Sequence, residues 1–398
     1  MSMNDTPVSE RTHIAFFGCR NAGKSSLLNA VTGQHLAVVS SVKGTTTDPV
    51  YKTMELLPAG PVVLIDTPGL DDEGQLGELR VASAVRVLKE ADVAVVVVDG
   101  TIGESSADRN ILARLTESRI PTLTVYNKAD LISVEQREKD GLYVSTVTME
   151  GIAELKEKIA LFAKETGKEK SIVGDFVKSG DFVLLVVPID KAAPKGRLIL
   201  PQQQVIRDLL EHGAVPVVVR DSELSETFAR LKEQIALVIT DSQVFKKVAE
   251  TVPESVPLTS FSILFSRYKG ELSAQLRGLK AIESLREKDT VLISEGCTHH
   301  RQCGDIGSVK IPAALQKITG KNIHIELTSG KEFPADLSRY KVIIHCGGCM
   351  LTEKEMKERI AAAKAQNVPI TNYGMVLALA SGIVQRSIAP LKLNEHEY

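Results

Sequence analysis

The stretch Gly18-Cys19-Arg20-Asn21-Ala22-Gly23-Lys24-Ser25 decides the fold of this chain. It fits G-x-x-x-x-G-K-[ST] and stands between an apolar run, residues 13–17, and a helical pattern, which is the setting a phosphate-binding loop requires. The glycines let successive backbone N–H groups turn toward phosphates. Lys24 neutralises the β and γ charges, and the Ser25 hydroxyl can ligate Mg²⁺ at a helix N-terminus that already favours anions. Gly23 and Ser26 complete the phosphate-binding set.

Further along the chain, the partners of such a loop follow in order. Asp66-Thr67-Pro68-Gly69 comes at the end of the β-branched run 62–65, so a carboxylate lies near the Mg²⁺ and the Gly69 N–H near the γ-phosphate. Asn127-Lys128-Ala129-Asp130 follows the run 122–126. Asp130 can accept from the guanine N1–H and 2-amino group, a pattern adenine lacks, so the base read is guanine. Ser145, at the next strand end, is expected to close over the base. Between the loop and Asp66, Gly44-Thr45-Thr46-Thr47-Asp48 offers Thr46 as the Mg²⁺-ligating, γ-phosphate-sensing threonine.

From about Arg11 to Lys164 these residues resemble the TrmE–Era branch of translation-factor-type GTPases. The residue after Gly69 is Leu70, as in that branch, so the water-orienting glutamine of other GTPases is missing. The resemblance implies slow hydrolysis aided by a K⁺ ion held partly by Asn21. It also puts Glu78 where the tRNA-modification member carries a catalytic acid, although a helix-starting Glu is the plainer reading.

The 398 residues exceed one ordinary core. Apolar runs alternating with amphipathic stretches predict a doubly wound parallel sheet first, then two smaller Rossmann-like parallel α/β units. The charged segment 164–170 marks a linker, giving a GTPase domain over 1–170, a second unit over 171–268 and a third over 269–398. The alternating pattern breaks around 261–270. A formal charge of −2, no Trp and 4% aromatic residues argue against a nucleic-acid partner. The polar N-terminus and short apolar runs argue against a membrane and for the cytoplasm.

In a reducing compartment five cysteines call for an explanation, and four cluster between Cys297 and Cys349. Cys297-Thr298-His299 and His345-Cys346-Gly347-Gly348-Cys349 each follow an apolar strand-like run, and strand ends of an open α/β sheet can meet in one crevice. Cys297, Cys346 and Cys349 suit a three-thiolate iron–sulfur pocket. A Cys₃His zinc site using His299 and plain buried cysteines stay open as readings, with a Cys346–Cys349 redox switch as a third. Cys303 is read as a bystander, and His300 and His345 as caps or packing residues.

A TrmE–Era-like domain followed by C-x-H and then H-C-x-x-C is similar to the [FeFe]-hydrogenase maturation GTPases of the HydF family, over nearly the whole chain. The resemblance implies a [4Fe–4S] cluster on Cys297, Cys346 and Cys349 with one open iron, and a middle unit that forms a homodimer. It further implies a scaffold that takes a transient diiron precursor from radical-SAM maturases and delivers it to apo-[FeFe]-hydrogenase. The alternative is an RNA-modification or ribosome-assembly GTPase with a structural zinc site.

Overall fold

The structure is a computed structural model that describes residues 8–33, 48–69, 83–137, 141–166, 170–189, 198–296, 305–330 and 332–391. The chain divides into two compact units, one reaching to Glu169 and the other starting at Lys170.

The first unit is built on a six-stranded sheet. Its strands are β1 (Thr12–Phe17), β2 (Val50–Leu56), β3 (Gly60–Asp66), β4 (Val93–Asp99), β5 (Thr122–Asn127) and β6 (Leu142–Tyr143), in the order β2-β3-β1-β4-β5-β6. All neighbours are parallel except β2 and β3. The sheet is therefore mixed, which corrects the expectation of a wholly parallel one. Six consecutive β4 side chains, Val93 to Val98, are fully buried because apolar clusters cover both faces of the sheet. Burying each valine contributes about 1.5–3 kcal/mol relative to exposure. Strand order reverses between β1 and β4, so a crevice opens at their carboxyl ends, where ligands of such sheets bind.

The second unit holds two four-stranded sheets, both wholly parallel. One comprises β7 (Phe182–Val186), β8 (Val215–Val219), β9 (Ile235–Thr240) and β10 (Leu258–Ser260), ordered β10-β9-β7-β8. The other comprises β11 (Thr290–Ser294), β12 (His324–Thr328), β13 (Val342–His345) and β14 (Ile370–Asn372), ordered β12-β11-β13-β14. Read from its own first strand, each runs 2-1-3-4, so the two sheets share one topology. A single apolar cluster from Ile172 to Leu391 joins them.

The break expected around 261–270 is instead a helix, Phe261–Lys269. Phe261, Ile263, Leu264, Phe265, Ser266 and Lys269 are all buried in it. A helix buried on most sides carries no amphipathic period, and for that reason its pattern is unreadable. No helix among the described residues is long and apolar enough to cross a membrane.

Candidate functional site

The first site lies at the β1/β4 crevice. The phosphate loop leaves β1 and enters the helix Lys24–Thr32, whose N-cap is Gly23 at φ 92. A side chain there would be strained, and its Cβ would meet Asn127 Nδ2 at 2.2 Å. Asn21 also adopts a left-handed conformation, at φ 61, and is exposed on the loop's rim. The buried Lys24 ammonium donates to the Gly18 and Cys19 carbonyls at 2.9 and 2.8 Å, which holds it across the loop. Ser26 is exposed on the first turn of the same helix.

The Ser25 hydroxyl donates to Asp66 Oδ2 at 2.6 Å, while Asp66 Oδ1 is buried with no hydrogen-bond partner. Burial raises the Asp66 pKa above its ordinary value, although the Ser25 hydrogen bond and the Lys24 charge pull against it. A hydroxyl and an orphaned carboxylate oxygen side by side are the donor set that Mg²⁺, a hard cation, takes up. Gly69 presses on the loop: a Cβ on it would lie 3.1 Å from Arg20 Cα.

At the end of β5, the buried Asn127 donates through Nδ2 to Ala22 O at 2.9 Å and ties the base-reading segment to the phosphate loop. Lys128, at φ 68, pairs with Asp99 at the end of β4. Burial pushes the Asp99 carboxyl up, but hydrogen bonds from Lys128 and Thr101 hold it below its usual value. The fully buried Ser145 donates to Asp130 Oδ1 at 2.5 Å, and its own oxygen accepts from Val147 N and Thr148 N. This bond fixes the direction of the Asp130 carboxylate. Lys24, Ser25, Asp66, Gly69, Asn127, Lys128, Asp130 and Ser145 thus meet around one crevice, while Thr46, Leu70 and Glu78 lie outside the described residues. The sequence reading missed Asp99 and the Asn127–Ala22 tie. An acid closing the apolar run 93–98 was the available signal for the first, and the second had none.

The other site lies in the second unit, at the point where the order of its second sheet reverses between β11 and β13. Cys346 N donates to Ser294 O at 2.9 Å, which fastens the two strand ends together. The Cys346 sulfur accepts from Gly296 N at 3.0 Å and Gly348 N at 3.4 Å. Gly296 allows this approach, since a Cβ on it would meet Leu351 at 2.8 Å. Burial pushes the Cys346 thiol up to about 11 against the pull of these two N–H groups, so a metal binding there must displace its proton.

His345 is buried, with Nδ1 2.8 Å from Cys346 O and Nε2 2.9 Å from Arg359 Nη1. Arg359 only donates, so Nε2 is the acceptor and Nδ1–H the donor. Burial, reinforced by the Arg359 charge, lowers the His345 pKa to about 3 and keeps the ring neutral. Both nitrogens are engaged, so His345 braces the loop. Cys346 and Cys349 stand at the crevice, while Cys297, His299, His300 and Cys303 lie outside the described residues. Among the described residues, no three His, Cys, Asp or Glu side chains are gathered so as to hold a metal ion.

The phosphate loop, the Ser25–Asp66 pair and the Asn127–Asp130 segment at the next strand end define the first unit as a P-loop GTPase domain. Comparisons with known proteins agree. Residues 13–128 match the family model of the 50S ribosome-binding GTPase. The tRNA modification GTPase MnmE of Nitrosomonas europaea is 34% identical over 174 residues, 42% of this chain and 38% of that protein. GTPase Era of Fusobacterium nucleatum is 28% identical over 228 residues, 57% of this chain and 71% of that one. Among solved structures, Era in complex with MgGDPNP and a 16S ribosomal RNA fragment matches with a TM-score of 0.35 and 19% identity, covering 57% of this chain and 99% of that one. The chain spans 38% of the length of its Nitrosomonas MnmE relative. Residues 172–270 match the hydrogen maturase F dimerization domain and residues 273–390 its tetramerization domain, together more than half of the chain. With the GTPase domain preceding them, the chain belongs to the hydrogen maturase F (HydF) family.

Proposed function

We propose that the protein is a GTP-hydrolysing scaffold and carrier in [FeFe]-hydrogenase maturation. In this reading it works in the cytoplasm as a homodimer, takes a diiron precursor from radical-SAM maturases and passes it to apo-[FeFe]-hydrogenase. The observation that carries the reading is the Cys346 sulfur, aimed by two backbone N–H groups at a strand-order reversal within a domain matching this family. Donors on sulfur stabilise a thiolate and tune the centre it ligates.

Cys297, Cys346 and Cys349 would hold a [4Fe–4S] cluster, which supplies an iron with one exchangeable position for the cargo. The chain's part is to aim the sulfurs and to keep His345 turned away as a brace. The exposed Val215 and Val218 on the edge strand β8 support self-association of the middle sheet.

In the nucleotide site, Lys24 and the loop amides bind the phosphates, Ser25, Asp66 and Thr46 would hold Mg²⁺, and Asn127, Asp130 and Ser145 hold the guanine. The Mg²⁺ would screen the γ-phosphate charge as the bond to it breaks. With Leu70 in place of a water-orienting glutamine, hydrolysis is slow and helped by K⁺ at Asn21, and Glu78 acts on the water. Loss of the γ-phosphate relaxes the switch segments and gives loading and release a direction.

The test is transfer. Loaded protein should activate apo-hydrogenase, and Cys346→Ser or Cys349→Ser should abolish activation while leaving GTP turnover within about twofold. Activation by the cysteine variants would refute the carrier reading.

A further inference from the structure

The helix Glu353–Ala365 reads in sequence as a charged surface helix, yet its Arg359 is buried. The guanidinium donates through Nη1 to His345 Nε2 at 2.9 Å and Ser294 Oγ at 3.3 Å, and through Nη2 to Gly330 O at 2.7 Å. It also lies 5.1 Å from the Phe333 ring centroid. Every one of these partners is neutral. Among the described residues no carboxylate hydrogen-bonds to it, and the Glu355 carboxylate, one turn earlier, reaches it only through its charge. The Glu355 oxygen is itself held by the helix cap, where it accepts from Thr352 N and Thr352 Oγ1. A guanidinium taken out of water without an ion pair in hydrogen-bond contact is costly, so this position favours a further anion close by.

The neighbouring contacts show where that anion belongs. Arg359 fixes the His345 ring, whose other nitrogen holds the Cys346 carbonyl at 2.8 Å. At the other end of the motif the buried Lys269 ammonium donates to Cys349 O at 3.3 Å and Leu351 O at 2.8 Å. Two buried cations are therefore tied to the Cys346–Cys349 loop, Lys269 directly and Arg359 through His345. One buried carboxyl, Glu295, stands nearby and accepts from the Tyr373 hydroxyl at 3.4 Å.

We propose that Arg359 is the buried counter-charge for an anionic, thiolate-ligated centre on this loop, acting through His345 as a positioning residue rather than as a ligand. The proposal rests on the cluster reading given above. A fixed cation favours the more negative, reduced state of such a centre, so its removal makes reduction harder.

The test compares reconstituted wild type, Arg359→Lys and Arg359→Met by iron and sulfide content and by redox titration monitored with EPR. At equal iron content, Arg359→Met should lower the reduced-to-oxidised ratio at a given potential by about tenfold, a shift of ~59 mV for a one-electron couple. Arg359→Lys should keep most of the wild-type midpoint. An unchanged midpoint in Arg359→Met at equal iron overturns the proposal. A metal-free arm separates charge from packing. Without iron, Arg359→Met should melt at or above wild type, and it should lose that standing after reconstitution. Equal destabilisation with and without iron would make Arg359 merely structural and overturn the proposal. Arg359→Gln replaces Arg359→Met if the latter does not fold. A wild type that takes up no iron refutes the cluster reading itself, and the counter-charge with it.

Discussion

Asn127→Ala should weaken nucleotide binding by far more than one lost contact to the base accounts for. Asn127 is 2% exposed, and its Nδ2 donates to Ala22 O at 2.9 Å, bridging the base-reading segment to the phosphate loop. Truncation removes the donor and leaves a buried carbonyl unsatisfied, a cost of about 1–3 kcal/mol. The loop that loses its tether is the one that must be held in shape for the phosphates, so much of that cost should appear in binding. At about 2 kcal/mol, GDP and GTP affinity should each fall roughly thirtyfold. Titration with a fluorescent guanine nucleotide measures this directly, and thermal melting of the same variant reports any general loss of stability. If affinity stays within about twofold of wild type, the tether is not what shapes the loop. If the melt collapses as well, Asn127 acts on the whole domain, and the argument about the loop fails.

Asp130→Asn should weaken GTP binding and admit xanthosine nucleotides, because the amide donates where guanine also donates; competition binding with both bases checks it, and unchanged GTP affinity contradicts it. Hydrolysis should be faster in K⁺ than in Na⁺, with the difference lost in Asn21→Ala, and equal rates in both salts would remove the ion from the account. Because burial holds Asp66 above its ordinary 3.8, its carboxylate takes up a proton earlier as pH falls. Mg²⁺ binding needs the charged form and should therefore weaken from a higher pH than an exposed aspartate would give. A Mg²⁺ affinity flat down to pH 4 would contradict the burial argument.

The nucleotide site was legible because each of its parts is a short motif fixed to a strand end. Strand order alone then brings Lys24, Asp66 and Asp130 together. What stayed hidden depends on tertiary placement. Strand β2 lies at the sheet's edge and buries little beyond Leu56, so residues 50–56 carry no clear strand pattern. The helix Phe261–Lys269 is buried on too many sides to show a period. Arg359 looks like one more charge on a helix rich in Glu and Lys, and only its approach to His345 gives it a role. The cysteine motif was legible as chemistry, with Gly348 inside its C-x-x-C turn, whereas the other N–H group on Cys346 comes from Gly296, which no spacing rule singles out.

The central claim is that Cys297, Cys346 and Cys349 hold an iron–sulfur cluster, and the most direct measurement is anaerobic reconstitution with iron and sulfide followed by metal analysis and EPR of the reduced protein. A cubane cluster predicts a brown protein with about four irons per chain, a reduced-cluster signal and loss of both in each single Cys→Ser variant, with Cys303→Ser unaffected. A colourless protein holding one zinc per chain would contradict it and return the cysteines to a structural site.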